Sequence, residues 1–397
     1  MSLPAPTPAL ANLRILDLTR VRAGPTCCRI FADFGADVIK VEAPDGVDPN
    51  ETMSGARDGY DMLNLHRNKR SLTLNLKRKE GLEIFLKLVE TADVVVENYR
   101  PDVKTRLGID YASLKRRNPR IILASISGFG QDGPYATRAG FDQIAQGMGG
   151  LMWVTGLPGQ GPVRAGVAVA DSTAGLYAAT GILVALRERD VSGEGQWVQT
   201  SLLQAQIALC DFQAARYLIT GEVPPQAGND HPYSTPMGVM ETADGFINLG
   251  VGGDGQWRNL CEAIQRTDLA DHPGYATQEQ RFAHREAVRA LLDPVFASDT
   301  SASWLERLEA VGVPAGPIYR MDEVFADPQV EHLKVAQSVP HPRLGDVRLV
   351  GQPIGLSRTP AEVKTPLADK GADCDDLLVE IGLGSGEIAA LRAGGVI

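Results

Sequence analysis

Apolar residues along the first two hundred positions follow two alternating rhythms. Short apolar or alternating runs at residues 14–18, 37–42, 71–76, 93–97 and 120–127 read as strands. Between them, residues 26–34, 79–90 and 111–117 have helical spacing. In 79–90, Leu82, Phe85, Leu86 and Val89 fall on one face. Pro25 is suited to open the first of these helices and Gly35 stops it. Strands separated by helices predict a mostly parallel, doubly wound α/β sheet. Residues 43–64, rich in Gly, Pro, Asp and Asn, read as one long loop. Further on come a long helix at 172–188, a turn at 193–196, a strand at 197–200 and a helix at 201–218.

The Pro/Gly/Asn-rich stretch at 221–236 is the best boundary in the chain. Beyond it, two strands (238–241 and 246–251) flank the turn Asp244-Gly245. Helices at 257–265, 278–297 and 300–311 follow. This block is smaller and α+β in character, and residues 313–317 lead out of it. A strand-like run at 347–350 and a helix at 375–382 return to the first domain. The expected division is 1–222 for the first part of a large domain, 223–325 for a small one, and 326–397 for the return. No internal repeat is present.

Composition narrows the options. With 397 residues, 44% hydrophobic and 22% charged, the chain can bury a sizeable core. A net charge of −10 gives no basic footprint for nucleic acid. The five cysteines (Cys27, Cys28, Cys210, Cys261 and Cys374) form no CxxC pair and read as reduced thiols of a cytoplasmic protein. Six histidines with no metal-ligand spacing argue against a metal site. Residues 1–11 lack the charged region and apolar run of a signal peptide. The uncharged helical run 172–186 is too short and mixed to span a bilayer, so no membrane partner is expected.

Several stretches carry chemistry. Arg20-Val21-Arg22-Ala23-Gly24-Pro25 follows the first strand and feeds a helix, a place suited to an anion. Two arginines there suit carboxylate or phosphate. A GxGxxG fingerprint is missing, which weakens a nicotinamide reading. The cluster His66-Arg67-Asn68-Lys69-Arg70-Ser71 reads, alone, as a solvated loop. Asn98 lies just past a buried strand, where open α/β sheets place ligands. Gly250-Val251-Gly252-Gly253-Asp254-Gly255-Gln256 suits a mobile loop or a tight bend. Asp171, ahead of Ser172-Thr173 and an apolar helix, has the pattern of an N-cap. It also suits a nucleophile, because the helix dipole would hold it ionised.

The ordered set is more specific than any member. Leu16-Asp17-Leu18-Thr19-Arg20-Val21-Arg22-Ala23-Gly24-Pro25, Gly35-Ala36-Asp37-Val38-Ile39-Lys40-Val41-Glu42, Asn68-Lys69-Arg70-Ser71, Val96-Glu97-Asn98, Arg106-Leu107-Gly108, Gly140-Phe141-Asp142 and then Asp171 resemble the family III CoA-transferases (the CaiB/BaiF group, which includes formyl-CoA transferase). The resemblance implies an interlocked homodimer, each chain with a Rossmann-like large domain and a small α+β domain. It implies that Asp171 is the catalytic nucleophile, working through an aspartyl anhydride and an aspartyl-CoA thioester. Val21, Arg22 and Ala23 would line the pantetheine and thioester. Leu74, Asn98 and Arg106 match further CoA-contacting positions, and Lys40 with the Lys69-Arg70 pair would neighbour phosphates or adenosine. Arg22, Phe141 and Asp142 would face the acid. CoA thioester enters as substrate, with no tightly bound cofactor.

Two features refine this. On the same fold, α-methylacyl-CoA racemases exchange a proton through a His that falls at Phe141 here, so racemase chemistry ranks second. In formyl-CoA transferases His and Gln stand at the positions of Arg20 and Arg22. Arg22 therefore suggests a second carboxylate, as in succinate, itaconate, malate, glutarate or a sulfinate analogue, with succinyl-CoA as donor. A third reading, a non-catalytic CoA-binding protein, would leave Asp171 as a cap only.

Overall fold

A computed structural model describes residues 7–397. The reading of residues 1–11 as no leader falls partly outside the described residues. The chain divides into two compact units. One holds Met1–Leu151, Arg164–Gly221 and Glu331–Ile397, and the other Met152–Val163 and Glu222–Val330. Relative to the expected boundaries, residues 326–330 and the excursion Met152–Val163 join the second unit. The excursion is tied there by Trp153 Nε1 donating to Pro224 O (3.1 Å) and Gln226 Nε2 donating to Thr155 O (2.7 Å).

The first unit opens with β1 (Arg14–Asp17), α1 (Ala23–Asp33), β2 (Asp37–Glu42), α2 (Tyr60–His66), β3 (Arg70–Thr73), α3 (Lys79–Thr91) and β4 (Val94–Glu97). It continues with α4 (Pro101–Leu107), α5 (Tyr111–Arg117), β5 (Ile122–Ser127) and α6 (Asp142–Met148). The short α7 (Leu151–Val154) precedes α8 (Val169–Ser192), β6 (Trp197–Ser201), α9 (Leu202–Leu209) and α10 (Asp211–Thr220). The six strands form one sheet in the order β3-β2-β1-β4-β5-β6, and every neighbouring pair is parallel.

Alternation along each strand sorts the core into two layers. Ile15, Val38, Val94, Val96 and Ile122 pack with α1 and α8. Leu16, Ile39, Leu72, Val95 and Leu123 pack with α3 and with the chain's last helices. The strand order reverses between β1 and β4. The turns that leave those two strands therefore diverge, and a crevice opens at the carboxyl edge of the sheet.

Some expectations need correction. Residues 43–64 are not a plain loop: they hold a 3-10 turn (Glu51–Ser54) and run into α2, whose Met62, Leu63 and Leu65 are buried. The basic cluster at 66–71 is not solvated. Arg67 pairs with Asp33 at 2.7 Å and Lys69 with Asp17 at 2.8 Å, all buried. Arg70 bonds both Asp37 and Glu380. Charges taken out of water this far persist only when paired and hydrogen-bonded. The helix expected at 201–218 breaks between α9 and α10, where Asp211 takes a φ of +40°.

α8 is longer than its uncharged run suggested. By length and composition it could cross a bilayer. Ala170, Ala174, Ala178, Ile182 and Ala185 bury one face of it in the core. Its other face leaves Leu176, Tyr177, Leu183 and Val184 exposed.

In the second unit, β7 (Met237–Glu241), β8 (Phe246–Gly250) and β9 (Ala315–Pro317) form an antiparallel sheet. β9 was read as an exit segment; its Pro and Gly residues hid an edge strand. The helices α11 (Asp254–Ala263), α12 (Gln278–Ala283), α13 (Arg285–Phe296) and α14 (Ser301–Ala310) accompany it, around buried Trp257, Phe296 and Trp304. One helix had been expected over 278–297; it divides at His284. The Gly-rich stretch at 250–256 shortens to a bend between β8 and α11, where Gln256 Oε1 accepts from Gly252 N (2.8 Å).

α15 (Met321–Val324) and α16 (Pro328–His332) lead onward. The hairpin β10 (Ala336–His341) and β11 (Gly345–Val350) forms its own two-stranded sheet. α17 (Cys374–Glu380) and α18 (Ser385–Ala393) complete the first unit's second layer.

Candidate functional site

The crevice at the reversal point holds a cleft of about 170 Å³. Its lining comes from the turns after β1, β4 and β5, from the start of α8, and from Met53 on the 3-10 turn. The turn after β1 is held in an unusual shape. Asp17 Oδ1 accepts from Thr19 N (2.9 Å) and Thr19 Oγ1 (2.5 Å), which folds the chain back at once. Burial opposes the charge on Asp17, but Lys69 and Lys40 hold its carboxyl below the usual range. Val21 then takes a φ of +64°, a costly conformation for a β-branched residue. Asn98, on the turn after β4, clamps this loop. Its Oδ1 accepts from Arg20 N (3.0 Å) and its Nδ2 donates to Arg20 O (2.8 Å).

Asp171 stands in the first turn of α8, not at its cap. The cap position is Ala168, which has no side chain to offer. The capping oxygen comes from another element. Asp142, first residue of α6, accepts from Ala170 N (2.9 Å) and Asp171 N (3.4 Å) through Oδ1. Its Oδ2 accepts from Gln146 Nε2 (2.7 Å). Asp142 is therefore engaged by the helix and buried, and it is not among the residues that line the cleft.

Contact between helices brings Asp171 to the β1 turn. A Cβ on Gly175 would lie 2.5 Å from Ala23 O and 2.9 Å from Thr26 Cβ. Only a glycine lets α8 approach the start of α1 this closely. Arg22 leads into that helix.

The electrostatics of Asp171 also differ from expectation. A helix N-terminus alone would have kept it readily ionised. Burial, reinforced by the neighbouring charge of Asp142, pushes its pKa up to about 6, against a partial pull downward from Arg22. A value near 6 leaves it mainly the anion at pH 7. The result is a carboxylate more basic than usual, poorly solvated, and present as the anion.

Positive charge surrounds it. Arg20, Arg22, Arg100 and Arg138 all line the cleft. Arg20 pairs with Asp48 and lies 5.8 Å over the Tyr99 ring. Arg22 pairs with Asp61 at 2.7 Å. Arg138 stacks on Tyr135 at 3.8 Å.

Of the residues singled out in the sequence, Val21, Arg22, Ala23, Asn98, Phe141 and Asp171 come together in this cleft. Lys40, Leu74 and Arg106 do not. Lys40 is buried, its ammonium 3.5 Å from Thr19 O and 3.9 Å from Glu42. Leu74 lies in the core, and Arg106 is exposed and paired with Asp102. Arg100, Arg138, Met53 and the Ser127-Gly128 turn were missed as lining. Ser127 ends β5, one strand away from the reversal point, at the same carboxyl edge of the sheet.

A larger, more open hollow of about 570 Å³ in the second unit is lined by Asp230, His231, Asn248 and Pro314 among others. Asp230 is engaged there by Arg289 at 3.2 Å. The smaller cleft is the candidate site, because it holds the perturbed carboxylate and the cations around it.

Comparison with known proteins adds an independent line. The model for CoA-transferase family III matches residues 10–373. A succinate–glutarate CoA-transferase from Agrobacterium fabrum is 40% identical over 388 residues, covering 96% of this chain and 97% of its own. The human succinyl-CoA:glutarate CoA-transferase is 35% identical, covering 94% of this chain and 86% of its own. Among solved structures, a CAIB/BAIF family protein from Brucella suis superposes with a TM-score of 0.83 at 34% identity, over 95% of this chain and 100% of the other.

Proposed function

Since the chain belongs to CoA-transferase family III, we propose that this CoA-transferase moves coenzyme A from succinyl-CoA, or a similar thioester, to a second dicarboxylic acid, with Asp171 as the covalent carrier. The observation that carries the reading is the raised, half-buried carboxylate of Asp171 in a cleft with four arginines. A carboxylate with a pKa near 6 is a better nucleophile than an ordinary one, and it is still ionised at neutral pH.

The steps balance without an external acid or base. An Asp171 oxygen attacks the thioester carbonyl; the C–S bond breaks and CoA leaves as thiolate, giving a mixed anhydride. The thiolate attacks the Asp171 carbonyl and releases the donor acid, leaving an aspartyl-CoA thioester. The acceptor carboxylate attacks that thioester, and thiolate leaves again. The thiolate then attacks the acceptor's carbonyl in the new anhydride, forming its CoA ester and freeing Asp171. Val21, Arg22 and Ala23 lie where the thioester would pass, and Arg22 receives the distal carboxylate of the acid. The cleft is smaller than the ~300–1,000 Å³ of pockets that enclose a drug-sized ligand. It suits the reacting end of the thioester, with the rest of CoA outside it.

The same reading takes the working form as an interlocked homodimer in the cytoplasm. Leu176, Tyr177, Leu183 and Val184 of α8 and Leu218 and Ile219 of α10 are exposed apolar side chains that a second copy would cover. Light scattering of the purified protein checks the dimer.

Phe141 lines the cleft and cannot accept a proton, so proton exchange at Cα lacks one of its two bases. Incubation with succinyl-CoA and hydroxylamine tests the proposal. A hydroxamate on the peptide bearing Asp171, and loss of exchange in Asp171→Ala, are expected. Deuterium uptake at Cα with no label on the enzyme would overturn it. A panel of mono- and dicarboxylates, with CoA esters identified by mass, then names the acceptor.

A further inference from the structure

The four arginines of the cleft are not equivalent. Arg20 and Arg22 are each matched by an acid from the segment between β2 and β3, Asp48 and Asp61 respectively. Arg22 Nη2 donates to Asp61 Oδ2 at 2.7 Å, and both side chains keep partial contact with solvent. Asp61 itself does not line the cleft.

Asp61 is also held in place independently of Arg22. It stands in the first turn of α2. Met62 and Leu63 next to it are buried in a cluster with Val339, Leu349 and Leu367. Two residues before α2, Asp58 accepts from Arg343 at 2.6 Å and 3.1 Å. The acid is fixed by packing, while Arg22 is a long side chain on a turn.

We propose that Asp61 is an internal stand-in for the distal carboxylate of the acid: it holds the Arg22 guanidinium, competes with a dicarboxylate for it, and so sets how strongly the enzyme prefers dicarboxylic over monocarboxylic acceptors. The proposal rests on the reading of Arg22 as the receptor of that carboxylate.

The chemistry follows from one cation between several anions. A guanidinium has five N–H donors in a plane and takes carboxylates two at a time only along different edges. Asp61 occupies one edge of Arg22, which also keeps the guanidinium from closing onto Asp171 and quenching it as a nucleophile. An arriving dicarboxylate must share Arg22 with Asp61 or displace it. A partly exposed pair of this kind is worth at most ~1 kcal/mol, or roughly fivefold in affinity. A monocarboxylate makes no demand on Arg22 and does not feel the competition.

The test uses saturating succinyl-CoA with glutarate and butyrate as acceptors. In Asp61→Asn the ratio of kcat/KM for glutarate over butyrate should rise about fivefold, through a lower KM for glutarate. Asp61→Glu, which restores the charge, should return the ratio towards that of the unmodified enzyme. A fall in the ratio would make Asp61 an orienting partner of Arg22, and would overturn the proposal. An unchanged ratio, or an equal loss of kcat with both acceptors, would overturn it as well. Arg22→Gln separates the two levels. If that change leaves the ratio untouched, the receptor role of Arg22 fails; if it lowers the ratio while Asp61→Asn does nothing, only the role of Asp61 fails.

Discussion

The carboxylate of Asp142 caps the helix on which Asp171 stands, accepting from Ala170 N and Asp171 N, and its charge helps lift the pKa of Asp171 to about 6. One acid thus holds the other in place and makes it more basic. The two effects can be separated. Asp142→Asn keeps a capping oxygen but removes the charge. Burial would still hold Asp171 above its ordinary value. The acid limb of the kcat/KM profile should therefore move from near pH 6 to lower pH, by less than the full shift. A limb that stays put, or moves upward, contradicts this account.

Asp171 also has a stability signature. Its folded pKa of about 6 lies above the ordinary 3.8. Between those values the folded chain binds a proton that the unfolded chain has lost. Stability is therefore lost as pH rises through that window, and the cost stands in full above it. Asp171→Asn should raise Tm at pH 8 and leave it unchanged at pH 3. The shift alone corresponds to ~3 kcal/mol. Partial solvent contact reduces the expected gain to ~1 kcal/mol. Thermal melts at the two pH values decide it.

Asn98 has no charge and makes no step, yet it bonds both the N–H and the C=O of Arg20. Asn98→Ala removes two hydrogen bonds and leaves the strained Val21 turn without its clamp. A stability loss of ~1–2 kcal/mol is expected by denaturant titration. The KM for the CoA ester should rise about tenfold or more, as Val21, Arg22 and Ala23 lose their positions.

Gly175→Ala asks for space that α1 does not leave. The added carbon would meet Ala23 O at 2.5 Å. Overpacking of this kind costs ~1–3 kcal/mol, and relief requires α8 to move off α1. That motion carries Asp171 away from Arg22. Activity should drop further than the stability loss explains, measured at a temperature where the variant is still folded.

Strand and helix periodicity made most of the first unit readable. β2 and α5 have the bounds their patterns suggested, because the sheet is buried on both faces and its strands read as apolar runs. What escaped was set by distant partners. Lys69 and Arg67 look like surface residues until Asp17 and Asp33, more than thirty positions earlier, are brought beside them. Lys40 reads as a ligand neighbour for the same reason; nothing local tells that its ammonium turns inward, toward Thr19 O and Glu42. Asp171 was placed at a cap because its own oxygen could serve, whereas the capping oxygen belongs to Asp142, 29 residues upstream. Asp61 lay in a stretch whose Gly and Asp content masked a helix packed on the far end of the chain. The edge strand β9 was hidden by its Pro and Gly. Local pattern reveals elements; charge partners reveal themselves only in three dimensions.

The segment between β2 and β3 is fastened on one side to residues made before it, such as Asp17 and Asp33, and on the other to residues made much later. Arg57 bonds Ala368 O, 311 positions on, and Asn68 bonds Glu362 O, 294 positions on. Lys370 reaches back to Asp45 and Glu51. A nascent chain that has already emerged through Asp171 therefore has its nucleophile but lacks the later half of the fastenings on the segment that bears Met53 and Asp61. Ribosome-bound intermediates and chains cut short before residue 362 are expected to be silent, which spares the cell a half-built acylating centre during synthesis.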